Sequence, residues 1–244
     1  MIIAYAKSDI GKAREMNQDA YYISDSTSEV KLYLLADGMG GYKGGEIASN
    51  LAIKCTKSYI ENNFKDTPKD KESLIQLVAS SMEYANMVVY ERAKENKELE
   101  GMGTTLEVCL IYNNKAYIGH IGDSRIYRIR KDFIRKLTQD HSYVQKLVKD
   151  GTITKEEAEN HPKKNMLMKA LGCNAFVEPD VSVKGFLRDD ILLISSDGLT
   201  NMVKQEDIFR IVKGNIEKAP IRLVDLANEN GGLDNITVVV LKNI

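Results

Sequence analysis

Apolar residues in this chain gather into short runs, and the spacing within each run predicts its structure. Nearly continuous apolar segments at "KLYLLA" (31–36), "LEVCLIY" (106–112) and "KAYIGHIG" (115–122) predict strands, as do "RIYRIR" (125–130) and "FIRKLT" (133–138). Only Asn113 and Asn114 separate the second from the third. Asparagine tolerates positive φ, so a tight hairpin is expected there and the region reads as an antiparallel meander. Two more runs, "DILLISS" (190–196) and "NITVVVL" (235–241), are apolar enough to be strands buried on both faces. Helical spacing lies elsewhere. In "EIASNLAIKCTKSYIENNF" (46–64), Ile47, Leu51, Cys55 and Tyr59 recur every four positions; in 72–96, Leu74, Leu77, Ala85 and Val88 mark one face. "TKEE" (154–157) is a capping-box pattern that opens a short helix. Strands and helices are segregated rather than alternating, which predicts an α+β fold. With no linker or repeat in the 244 residues, one domain over 1–244 is expected.

Composition narrows the function classes. A formal net charge of -1, with no basic block interleaved with aromatics, argues against nucleic acid as a partner. No apolar run approaches the roughly 18 residues needed to span a bilayer, so no membrane insertion is expected. The start "MIIAYAKSDIGKAR" lacks a signal-peptide core, and Cys55, Cys109 and Cys173 are too scattered for a disulfide framework or a zinc site. A cytoplasmic protein is the expectation.

The chemistry lies in a repeated local pattern. Asp37 ends a strand and precedes Gly38 in "DGMGGYKGGE"; Asp123 follows Gly122 between two strands; Asp197 ends "ILLISS" and precedes Gly198; Asp234 follows Gly231-Gly232 and leads into the last strand. Asp19 leads into another strand. Taken singly, an Asp-Gly pair is an ordinary turn. Five carboxylates at strand termini, two of them beside fully buried runs, would repel one another without a cation. All-oxygen ligands from scattered strand ends suit Mg²⁺ or Mn²⁺, and paired ions of that kind suit hydrolysis of a phosphate ester. Arg14, five residues before Asp19, is the candidate for holding the phosphate, since guanidinium pairs bidentately with it. The glycine-rich stretch itself lacks the endings of a nucleotide-binding loop. A cysteine-nucleophile phosphatase is excluded, because Glu61, Lys115 and Pro179 stand where its arginine would follow Cys55, Cys109 and Cys173. An aspartyl-phosphate mechanism is excluded by the lack of any Asp-x-Asp pair.

These residues occur in an order that resembles a known family. "GKAREMNQDAYYI", "LLADGMGGYKGGEIAS", "GMGTTLEVCLI", "AYIGHIGDSRIYRIR", "LTQDHSYVQKLVKDGTIT", "HPKKNMLMKALG", "LLISSDGLTN" and "LDNITVVVL" follow one another as in the metal-dependent protein phosphatases of the protein phosphatase 2C (PPM) family, in its compact bacterial form. The resemblance runs from about residue 5 to 241. It implies a central sandwich of two antiparallel sheets flanked by helices on both sides, with a mobile flap at about 139–171. It implies two Mn²⁺ or Mg²⁺ ions, with Asp37 bridging them and the Gly38 carbonyl on one. Asp197 and Asp234 would complete the first shell, and Asp19 would serve the second metal. A third, weaker metal is implied at Asp123, with Asp197 shared. Arg14 would bind the substrate phosphate, and a metal-bridging hydroxide would attack phosphoserine or phosphothreonine. Phosphorylated proteins are the implied substrates, and a serine/threonine kinase the implied opposing partner.

Three positions depart from the family pattern. Gln18 stands where animal members carry glutamate, Met39 where they carry a histidine proposed as general acid, and Tyr42 where many bacterial relatives have histidine. Of the 3 histidines, none of His120, His141 and His161 has a clear claim to that role, and His141 reads as structural. The competing reading is a non-catalytic domain of the same fold that binds a phosphoprotein. Degenerate members of that kind lose metal aspartates, whereas this chain keeps all five. A catalytic regulator devoted to one phosphorylated partner, such as an anti-sigma-factor antagonist, would share the chemistry and differ in substrate.

Overall fold

The computed structural model describes residues 1–41 and 43–244; the expectation for Tyr42 lies outside them. The chain opens with β1 (Ile2–Asp9), β2 (Asp19–Ile23) and β3 (Lys31–Met39), followed by α1 (Gly44–Phe64) and α2 (Lys71–Glu95). A meander follows, with β4 (Gly103–Thr104), β5 (Leu106–Tyr112), β6 (Lys115–Ile121), β7 (Arg125–Arg130) and β8 (Phe133–Lys136). Two short helices, α3 (Tyr143–Lys149) and α4 (Lys155–Glu159), precede β9 (Asp180–Gly185) and β10 (Ile191–Ser195). The chain ends with α5 (Asp197–Thr200), α6 (Gln205–Gly214), α7 (Ala219–Glu229) and β11 (Ile236–Asn243).

The strands form two antiparallel sheets, ordered β1-β11-β10-β7-β8 and β2-β3-β5-β6-β9, with β4 paired to the end of β3. Three apolar layers hold them. In β3, Leu32, Leu34 and Ala36 face α1 and α2, while Tyr33 and Leu35 face the other sheet. In β11, Ile236, Val238 and Val240 pack under α5–α7, and Val239 and Leu241 fill the space between sheets. Both faces of these strands are therefore buried, which explains why their sequences are unbroken apolar runs. The result is the expected α+β sandwich of two antiparallel sheets with helices on both sides.

The predicted hairpin forms at Asn113 and Asn114, at φ 46° and 55°. Those paired positive angles are the signature of a tight turn that matches the strand twist. Thr154 and Glu157 form the expected capping box.

Other details differ from the sequence reading. β3 does not end at Ala36 but runs through Asp37 to Met39, because its last residues switch partner from β5 to β4. Asp197 opens α5 rather than ending a strand. The fully buried face of α1 is Ala48, Ser49, Ala52, Thr56 and Ile60, one position round from the expected stripe; Ile47, Leu51, Cys55 and Tyr59 are only partly buried at its flank. Small residues win the central position because the helix lies close against β3.

Candidate metal centre

The topology brings five strand termini to one end of the sandwich. β2 starts there and β3 finishes there, β6 turns into β7, β10 leaves for α5, and β11 begins. Asp19 and Asp37 stand directly opposite each other on the antiparallel β2–β3 ladder. Opposed side chains on neighbouring strands lie about 5 Å apart, and like charges in that position destabilise a sheet. Asp123 occupies the β6–β7 turn behind Gly122, whose φ of +108° only glycine adopts readily. Asp197 and Asp234 arrive from the adjoining ends of β10 and β11.

The electrostatics show that these carboxylates meet. Burial, reinforced by Asp19, Asp197, Asp123 and Asp234, holds the Asp37 carboxyl well above the usual range. Burial raises Asp19 to about 7, with Asp197 and Asp234 adding to it. Asp123 is likewise raised to about 7, by burial and then Asp197, and Asp197 to about 6, by burial and then Asp234. Such mutual elevation is the pattern that groups of catalytic or metal-binding carboxylates show.

Hydrogen bonds leave part of this cluster unsatisfied. Ser196 Oγ donates to Asp19 Oδ2 at 2.8 Å, but Asp19 Oδ1 is buried with no partner among the described residues. A buried orphan carboxylate oxygen is costly and suits a cation. The Asp37 carbonyl is better held, accepting from Thr105 N and Thr104 Oγ1 at 2.9 Å each. Gly38 has a packing reason for its identity: a Cβ there would lie 2.0 Å from the Gly45 carbonyl oxygen and 2.7 Å from that of Gln18. The first turn of α1 thus presses onto the backbone beside Asp37.

Among the described residues, no three acidic, histidine or cysteine side chains close into a ready-made metal cage. Asp123 and Asp197 line an open groove, while Asp19 is buried. That arrangement fits Mg²⁺ or Mn²⁺, since octahedral Mg²⁺ keeps several waters and takes only one or two protein carboxylates. The donor chemistry, the orphan oxygen and the crowded charges all agree with such ions.

Arg14 reaches the same crevice. Its Nη2 donates to Asp234 Oδ2 at 2.8 Å, and that bond together with the nearby Asp37 and Asp197 charges raises its pKa. Its side chain stays half exposed, at 53%. The expected phosphate-binding residue is therefore paired with an expected metal ligand. The histidines stand apart: among the described residues none hydrogen-bonds to the five aspartates. His120 is buried against Glu107 and Gln139, and His161 caps a turn at Lys163. Met39 pairs with Gly103 as a strand residue.

Several supporting residues escaped the sequence reading. Asn235 accepts from Gln18 N at 2.8 Å and donates to the carbonyls of Ile10 and Met16, shaping the loop that carries Arg14. Asn201 donates to Asp197 Oδ2 at 3.0 Å. Both follow a candidate ligand closely in sequence, which is the only signal they gave. A groove of about 830 Å³ leads from Asp123 and Asp197 between segment 142–165 and α5–α6, with Lys136, Lys155, Lys164 and Lys204 along it.

A sequence profile described as protein phosphatase 2C matches residues 11–218. The chain belongs to the protein phosphatase 2C family. Protein phosphatase PhpP of Streptococcus pneumoniae is 39% identical over 239 residues, covering 96% of this chain and 94% of the relative. Among solved family structures, the serine/threonine phosphatase Stp1 from Staphylococcus aureus superposes with a TM-score of 0.92 at 36% identity, covering 100% of this chain and 96% of that one. The catalytic domain of the serine threonine protein phosphatase PstP, solved in complex with 2 manganese ions, gives 0.86 at 34% identity, with coverage of 99% and 97%. The protein phosphatase 2C fold is therefore shared over the whole described chain.

Proposed function

We propose that this protein phosphatase 2C member is a metal-dependent serine/threonine protein phosphatase whose active site is the aspartate crevice. The observation that carries the reading is Asp19 facing Asp37 with a buried oxygen that has no partner among the described residues, close enough to Asp123, Asp197 and Asp234 for their charges to act on Asp37. Asp37, Gly38, Asp197 and Asp234 would hold one ion of a Mn²⁺ or Mg²⁺ pair, and Asp37 and Asp19 the other; Asp123, with Asp197, would hold a weaker third. Bound there, such ions lower the pKa of a shared water and neutralise charge on the phosphoryl group.

The chain's own residues supply position. Arg14 exchanges the Asp234 carboxylate for the non-bridging oxygens of phosphoserine or phosphothreonine, a planar bidentate match. The groove with its four lysines accepts the surrounding polypeptide. We read residues 1–244 as one catalytic unit and 139–171 as its flap. A serine/threonine kinase is the opposing partner this chemistry calls for. The three cysteines, all free, suit a reducing, cytoplasmic setting.

Hydrolysis of p-nitrophenyl phosphate and of a phosphothreonine peptide tests the reading. Turnover is expected with Mn²⁺, and is lost with chelator or in Asp37→Asn. Folded, metal-loaded protein that hydrolyses neither substrate would favour the phosphoprotein-binding alternative.

A further inference from the structure

Both ends of segment 139–171 are hydrogen-bonded to the backbone that frames the aspartates. At the entry, His141 N donates to the Gly122 carbonyl at 2.7 Å, and Gly122 N donates back to His141 Nδ1 at 3.2 Å. At the exit, Leu171 and Thr104 exchange backbone hydrogen bonds of 2.9 and 3.1 Å, and Thr104 Oγ1 donates to the Asp37 carbonyl. The entry clamp is unusual because one of its two bonds depends on a side chain.

His141 is held from three directions, two through its ring and one through its backbone carbonyl. Its Nε2 lies 3.2 Å from Asp180 Oδ2 on β9, its ring stacks on His120 with centroids 4.6 Å apart, and its carbonyl accepts from Met168 N at 2.7 Å. The two ring nitrogens fix a single tautomer. With Gly122 N–H on Nδ1 and the Asp180 carboxylate facing Nε2, the tautomer protonated at Nε2 is the one that serves both contacts. Burial, with His120 alongside, pushes His141 below the ordinary histidine range and keeps that lone pair available. Gly122 cannot be held by a bulkier residue of its own, since a Cβ there would meet Thr105 Cγ2 at 2.5 Å.

We propose that His141 is a positioning residue: its Nδ1 fixes the Gly122–Asp123 turn and its Nε2 anchors that contact to Asp180 on β9, so that the start of segment 139–171 and the turn that carries Asp123 are held on the same sheet. It touches neither substrate nor any of the five aspartates and acts through Gly122. Its effect on turnover rests on the aspartate crevice being the active site. The hydrogen-bond arrangement does not.

The two amide isosteres separate the two ring nitrogens. His141→Asn keeps an acceptor near Nδ1 and loses the reach to Asp180, whereas His141→Gln keeps a donor near Nε2 and loses the bond to Gly122. The first readout is nuclear magnetic resonance on the unmutated full chain, where His141 should be neutral with its proton on Nε2 at pH 7. Gly122 amide exchange should then quicken roughly threefold to tenfold in His141→Gln, the worth of one hydrogen bond, and stay near wild type in His141→Asn. With Mn²⁺ and a phosphopeptide, His141→Gln should lower kcat more than His141→Asn, and should add nothing in an Asp123→Asn background. A proton on Nδ1, or equal Gly122 exchange in both variants, would overturn the proposal whatever the activity. Correct exchange behaviour in a protein with no phosphatase activity would leave the clamp standing and remove the active-site reading instead.

Discussion

Arg14 and Asp234 are each other's hydrogen-bond partner at 2.8 Å, although one is proposed for phosphate and the other for metal. The pair is exposed, and such pairs contribute little stability, on the order of 0 to 1 kcal/mol. Separating them on substrate arrival is therefore cheap. Arg14→Ala should leave Tm within a few degrees of wild type and raise KM for a phosphopeptide several-fold with a smaller change in kcat; steady-state kinetics decide it, and an unaltered KM would remove Arg14 from phosphate binding. At the same scale, Gly38 is fixed by contact: a Cβ there meets the Gly45 carbonyl at 2.0 Å. Gly38→Ala should cost about 3 kcal/mol or more, as overpacking against backbone does, seen as a lower denaturant midpoint. The sequence showed Asp-Gly and family resemblance pointed to a carbonyl ligand, but the steric reason was invisible because Gly45 approaches only after α1 docks.

The elements divide according to what local pattern can carry. β5, β6, β10 and β11 were legible because strands buried on both faces write nearly unbroken apolar runs, β7 because Ile126, Tyr127 and Ile129 stand out among its arginines, and Asn113-Asn114 spelled the hairpin outright. β1 was not identified, although "MIIAYA" is an apolar run and Ile2, Ala4 and Ala6 pack on the core between the sheets: the strand is only partly buried, and its partner β11 lies at the far end of the sequence. The short β9 and β4 earn their strand pairing from partners far away in sequence, which no local pattern records. α1 was found but its inward face was misjudged, because hydrophobic size marked Ile47 and Tyr59 while close approach selected Ala48, Ala52 and Thr56. Of the site, the aspartates were legible as residues at strand ends. Their grouping in space was not, since it depends on which ends of the two sheets coincide. Ser196, Asn235 and Asn201 are polar residues whose roles exist only through those neighbours.

At the scale of the molecule, the crevice concentrates charge in a way that links stability to pH. Asp19, Asp123 and Asp197 are raised to about 7, 7 and 6 from an ordinary value of 3.8. An acid with a raised folded pKa binds its proton more tightly folded than unfolded. Its stabilising contribution is present below about pH 4 and fades as pH climbs through the folded value. Metal-free protein should therefore lose Tm between pH 5 and 8. Mn²⁺, binding only the folded state, should add several degrees at pH 8 and little at pH 5. Thermal scans with and without chelator across that range check this; a metal-induced rise that is the same at both ends would show that the carboxylates are not the binding groups.

The strand order has one more consequence, for how the molecule is made. β1 pairs along its whole length with β11, so Ile2 lies opposite Asn243. During synthesis the first strand leaves the ribosome without its partner, while β2, β3, β5 and β6 can already assemble beneath α1 and α2. Contacts between residues so distant in sequence form late and slowly, and an unpaired edge is sticky while it waits. The last strand to emerge also brings Asp234 and Asn235 with it. A nascent chain therefore has neither the closed sheet nor the full set of these carboxylates until β11 has emerged.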